Sequence, residues 1–399
     1  MNYICLCSIL MSELKKHDSI FSEFEKSSKN DWLEKIKKDF KNPDILDELA
    51  WSPTPDLKLD PYYDQSNIDY SVLPVIFPTT LQKNRSTYRP INNKEIVFSN
   101  LETDNELILN QLNSGAEGLI LENLEQGNIV FATLLENVML PNCSISFNLT
   151  NPNSEILKKY LDYLEGNNVI QSSTGFVLGS DIKNEDFLLM IVELNKSFSK
   201  AENFIPLVIN ESKFNAESIS LKYGQMLSQI VDVISTLAER GVETENIIKM
   251  LGIQLTLGED YFLDIARIRA LKYLTQKISE VYGCPVQPFP IHCTSLVYLN
   301  PDLGPHENML KGTIAAMSAT IGGCDSLLIK PANYSDPLES QVALNTLNIL
   351  SEESYLDKTH DLAAGSYFVE SLTCQIITKS WDCFLNIESN KKQAIIDEA

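Results

Sequence analysis

Beyond Pro90 the chain alternates short apolar runs with stretches of longer period. The runs Glu95–Phe98, Glu117–Leu121, Ser144–Leu149, Gly175–Leu178, Ile205–Ile209, Ile253–Leu257, Pro288–Cys293 and Ser326–Ile329 predict eight strands. Between them the apolar positions recur at helical spacing, most clearly over Ala216–Arg240, Tyr261–Val281, Glu307–Ile321 and Leu338–Leu350. Most of these stretches open on Asp, Ser or Asn, residues whose side chains accept from the free amides of a first helical turn. Strands alternating with helices require a parallel sheet with right-handed crossovers. Eight such units over residues 91–351 predict an α/β fold of the (β/α)8 TIM-barrel class. An open doubly wound sheet is the alternative, and no GxGxxG phosphate fingerprint follows the first strand.

The flanks differ in texture. Trp32, Leu33, Ile36 and Phe40 mark one amphipathic helix over Asp31–Lys41, and Pro43 closes it. Asp44–Pro90 has no clear period and holds Pro53, Pro55, Pro61, Pro74 and Pro78 among Trp51, Leu57, Leu59, Tyr62, Tyr63 and Phe77. Such a segment is too long for an ordinary loop and too apolar for a free linker. Residues 1–90 are therefore expected to form a helix and an extended arm lying against their own domain or a partner chain. Residues 352–399 read as an irregular segment, Glu352–Glu370, followed by a last helix over Leu372–Ile387. That helix carries Ile376, Ile377, Trp381, Phe384 and Leu385 on its apolar face. Met1–Leu10 is apolar but lacks a basic segment before it and a small-residue cleavage site after it, so it is not read as a signal peptide. Met11 is an alternative start.

Charge narrows the partners. With 32 Lys and Arg against 54 Asp and Glu the formal net charge is −22, which repels nucleic acid and anionic headgroups. Mean hydropathy is −0.10, and no apolar run approaches the roughly 20 residues of a membrane span. Eight cysteines across 399 residues read as reduced thiols rather than a disulfide framework, consistent with a cytoplasmic location. His292 beside Cys293 has no further ligand at metal spacing, so no metal is expected.

In a barrel of this class the reacting groups project from the carboxyl ends of the strands. Those positions hold Ser99, Glu122 with Asn123, Thr150 with Asn151, Ser180 with Asp181, and Asn210 to Lys213. Glu211 and Lys213, two residues apart, offer an acid/base pair, but as neighbours on one face they read more simply as a partly exposed ion pair. The seventh strand ends in His292, Cys293, Thr294 and Ser295, where His292 is a candidate general base, although a lone histidine there is more often structural. Gly322 and Gly323 read as a helix stop rather than a phosphate cradle.

Three longer motifs carry a resemblance. LDELAWSPTPDLKLDPYY (Leu46–Tyr63), PDLGPHENMLKGTIAAMSATIGGCDSLLIKP (Pro301–Pro331) and LNTLNILSEESYLDKTHDLAAGSYFVESLT (Leu344–Thr373) are similar to stretches of methylmalonyl-CoA mutase chains. The resemblance implies a coenzyme A mutase working by adenosylcobalamin radical chemistry, interconverting methylmalonyl-CoA and succinyl-CoA. Catalytic chains of that family carry an Asp-x-His-x-x-Gly motif that ligates cobalt, and His360, Asp361 and Gly365 do not reproduce its order. They also place a Tyr-His pair at the fifth strand, where this chain has Asn210, Glu211, Ser212, Lys213 and Phe214. STYRPINN (Ser86–Asn93) is only a faint echo of the coenzyme A pattern. The expectation is a small, noncatalytic subunit without a cobalamin-binding domain. It would have no catalytic, cofactor or metal residues of its own, and its arm would wrap a large catalytic subunit that binds the adenosylcobalamin. The alternative is a catalytic barrel served by a separate cobalamin-binding subunit.

Overall fold

The computed structural model describes residues 27–42, 44–68, 74–83, 87–124, 129–149, 154–179, 181–258, 260–285, 287–296, 305–334 and 336–398. The Met1–Leu10 leader, Met11, Thr150, Asn151 and Ser180 lie outside them. A small antiparallel hairpin, β1 (Trp51–Thr54) and β2 (Leu57–Leu59), precedes the main sheet. That sheet runs through β3 (Ile91–Val97), β4 (Gly118–Glu122), β5 (Ser144–Asn148), β6 (Thr174–Leu178), β7 (Asn203–Ile205), β8 (Leu207–Asn210), β9 (Leu251–Leu257), β10 (Ile291–Ser295) and β11 (Ser326–Leu328). Its hydrogen-bonded order is β7-β6-β5-β4-β3-β11-β10-β9-β8, every pair parallel.

β7 and β8 are two halves of one stave. Pro206 stands between them, and a proline has no amide to give the ladder. β7 therefore pairs with β6 while β8 pairs with β9, and this shared stave closes the ring. The expected continuous fifth strand Ile205–Ile209 is thus broken at Pro206, and the first strand begins at Ile91 rather than Glu95.

Alternation along the staves separates two cores. Leu119, Leu121, Ile145, Phe147, Val177, Leu207, Ile209 and Leu327 face the helices and join the large outer cluster. Ile120, Phe176, Leu178, Ile205, Val208 and Leu328 form a second cluster on the barrel axis. The helices are α1 (Lys29–Phe40), α2 (Ile45–Leu49), α3 (Thr80–Lys83), α4 (Leu101–Asn113), α5 (Phe131–Leu134), α6 (Ser154–Gly166), α7 (Glu185–Phe198), α8 (Ile219–Glu239), α9 (Thr244–Met250), α10 (Tyr261–Val281), α11 (Pro305–Gly322), α12 (Pro337–Glu352) and α13 (Tyr367–Glu398). Ser218 caps α8, so that helix starts three residues later than its apolar period suggests. α13 is longer at both ends than the expected Leu372–Ile387, and it lies along α8. Gly224 permits the close approach: a Cβ there would stand 2.7 Å from the Cβ of Cys383. Ser228 donates to Glu388 at 2.6 Å, and Lys391 pairs with Asp232 at 2.7 Å along the same seam.

The arm folds onto its own chain. Leu57 and Leu59 are fully buried in the outer cluster, Trp51 stacks on Phe368 and Tyr63 meets the same ring edge-on. Residues 74–83 form a strap sewn to α10, where Phe77 N donates to Gln276 Oε1 at 3.0 Å and Gln276 Nε2 donates to Val75 O at 2.8 Å. Gln82 Nε2 reaches Gly323 O at 3.1 Å, and Thr79 donates to Asp325, whose other oxygen accepts the Ile291 amide. Asp325 precedes β11 and Ile291 opens β10, so the strap crosses the amino ends of the staves. There Leu81 enters the axial cluster. Of the two places expected for the arm, its own domain takes these residues.

Truncating Leu57 or Leu59 to Ala in the isolated chain is expected to cost about 2–4 kcal/mol, because each leaves a cavity in a packed core. The urea midpoint measures it. An unchanged midpoint would mean that these side chains are not covered by their own chain.

Candidate functional site

The fifth stave should carry chemistry, and it ends in a lock. Asn210 Oδ1 accepts the Ser212 amide at 2.9 Å and starts a short 3-10 turn over Glu211–Lys213. The turn carries Glu211 into the interior, where both its oxygens accept from Arg267 Nη2 at 2.6 Å. Arg267 also donates to Asp264 at 2.6 Å and to the Tyr223 hydroxyl at 3.0 Å. Asp264 in turn accepts the Gly258 amide at 2.9 Å. α10 supplies Asp264 and Arg267 one turn apart, and α8 supplies Tyr223. Burial opposes charge on Arg267, but Glu211 and the Tyr223 and Asp264 side chains raise its pKa well above the ordinary value. The partly exposed Glu211–Lys213 pair expected from spacing is therefore corrected: Glu211 is buried on Arg267, and Lys213 donates to Gly179 O at 3.1 Å. The 3-10 turn removes the strand alternation on which that expectation rested.

His292 is sealed. Its ring is fully buried, 5.8 Å from Phe176, with Nδ1 hydrogen-bonded to Ser326 Oγ at 2.9 Å and Nε2 to Thr294 Oγ1 at 3.1 Å. Burial, with Lys330 nearby, pushes its pKa down to about 3. The imidazole is held neutral with both ring nitrogens engaged by hydroxyls. Cys293 faces the outer core, where burial and Cys324 raise its thiol pKa.

The group most displaced toward neutrality lies elsewhere at the carboxyl end. Glu122 closes β4 with Asn148 of β5 donating to it, in a parallel register that sets the two residues side by side. Burial, followed by the neighbouring Glu95 carboxyl, pushes Glu122 up to about 7. Glu95 is itself buried, stands 3.6 Å from Lys330 Nζ and accepts the Tyr334 hydroxyl. A carboxyl raised toward neutrality beside a second carboxyl is a group from which acid–base chemistry is built. Glu122 is visible in the sequence as a strand-end residue, but Glu95 is joined to it by the pairing of β3 with β4, and Lys330 and Tyr334 by that of β11 with β3.

A second buried arginine organises the carboxyl-terminal motif. Arg269 reaches Asp361 at 2.9 Å, Glu370 at 2.9 Å and Thr373 at 3.0 Å, and Glu370 also accepts the Gly365 amide. Gly365 has a φ of +82°, which glycine adopts without strain. The DLAAGSYFVE stretch is thus a clamp on α10.

Comparison with known proteins agrees with the motifs. The family described as Methylmalonyl-CoA mutase matches residues 216–392. A methylmalonyl-CoA mutase small subunit from Porphyromonas gingivalis is 25% identical over 400 residues, covering 94% of this chain and 65% of that protein. Over these stretches the chain is similar to methylmalonyl-CoA mutases. The small subunit from Streptomyces virginiae is 31% identical over 176 residues, covering 43% of this chain and 29% of its own length. The chain spans less than two thirds of the length of these curated relatives. A dihydropteroate synthase from Stenotrophomonas maltophilia covers 69% of the chain and 97% of its own, at 13% identity and a TM-score of 0.38. The 216–392 match runs from α8 to α13 and contains both arginines and the Arg269 cluster, while Glu211, the partner of Arg267, lies before it.

The family's cofactor, adenosylcobalamin, finds a poor set of groups among the described residues. His292 is enclosed, His360 lies edge-on to Tyr88 at 5.1 Å, and His306 begins α11 outside any cobalt-ligating motif. The side chains described do not fit a corrin ligand site.

Replacing Arg267 by Met strands two buried carboxylates and is expected to destabilise the fold by about 3–5 kcal/mol, read as a lower urea midpoint. Carboxyl NMR should show Glu122 titrating at about 7, with Glu95→Gln moving it down toward the ordinary carboxyl range. The raised value means that the stabilisation tied to the neutral form is complete below about 4.5 and is lost as pH rises through about 7. Glu122→Gln should flatten that part of the stability profile.

Proposed function

We propose that this chain is the small subunit of an adenosylcobalamin-dependent methylmalonyl-CoA mutase, a noncatalytic cytoplasmic barrel that pairs with a large catalytic subunit holding the cofactor. The observation that carries the reading is the occupied axis. Ile120, Phe176, Leu178, Ile205, Val208 and Leu328 pack across the barrel, with Leu81 entering from the strap and His292 against Phe176. Apolar side chains fill the space in which a reacting thioester would have to be enclosed.

The strand ends support the same reading. At the fifth stave a carboxylate locked to Arg267 stands where the family's Tyr-His donors would polarise a thioester carbonyl. In the STYRPINN segment, Tyr88 donates its amide to Asp357 O at 2.9 Å and Arg89 donates to Glu352 at 3.1 Å. Both residues that echo the coenzyme A pattern hold the barrel to the α12 region. The naming of the relatives as small subunits supports a partner chain.

Incubated alone with methylmalonyl-CoA and adenosylcobalamin, the purified chain is expected to give no succinyl-CoA. Mixed with the mutase large subunit of the same genome, it should co-elute as a heterodimer with activity. In that pair His292→Ala should change kcat/KM by no more than a few fold. Turnover by the chain alone, or with only a separate cobalamin-binding subunit, would overturn the proposal.

A further inference from the structure

We draw no further inference here: the strongest candidate, the groove between α10 and α13 lined by Tyr273, Lys277, Ile377 and Trp381, with Lys277 Nζ 4.1 Å from the Trp381 ring, carries nothing because nothing in the structure shows what covers it.

Discussion

Closure of the parallel ring around an apolar axis is the constraint on which the rest of the molecule depends. A parallel sheet has both faces to bury, and here the inner face is buried by the sheet's own side chains. Each of the larger residues on that axis contributes about 1.5–3 kcal/mol by leaving water. Small residues make the packing possible: a Cβ on Gly252 would stand 2.6 Å from Ile205 Cγ2 and 3.7 Å from Phe176.

Around that ring, α10 acts as a keel. Its two arginines, Arg267 and Arg269, point to different clients: one holds the turn after the fifth stave, the other holds the segment that leads into α13. A buried guanidinium is costly without partners, and each one here has two carboxylates. Such charges contribute less to net stability than to uniqueness, since a shifted loop would leave them unpaired. This explains how irregular segments without much apolar content hold a single position.

The two ends of the barrel are treated differently. The strap, with Thr79, Leu81 and Gln82 buried, closes the amino end through hydrogen bonds to Asp325 and Gly323. The carboxyl end carries the Glu95–Glu122 pair. Among the described residues no helix is long and apolar enough to cross a membrane.

The eight-stave α/β pattern and the helices α8, α10, α11 and α12 were legible in the amino-acid order, because periods of two and 3.6 are local properties of the chain. The family motifs were legible for the same reason. Other features required contacts between residues far apart. Glu211 and Lys213 looked like a pair because they are two apart, but Arg267, 56 positions away, took Glu211. Phe77 is bonded to a residue 199 positions distant, so nothing near it could say whether the arm served its own chain or another. Glu95 and Glu122 became neighbours only when β3 and β4 paired, and Lys330 joined them when β11 closed the ring. Sequence determines the elements through local periodicity. Which charges meet, and which space is left empty, is decided only when the ring closes, because burial and Coulomb energy depend on distance in space rather than along the chain.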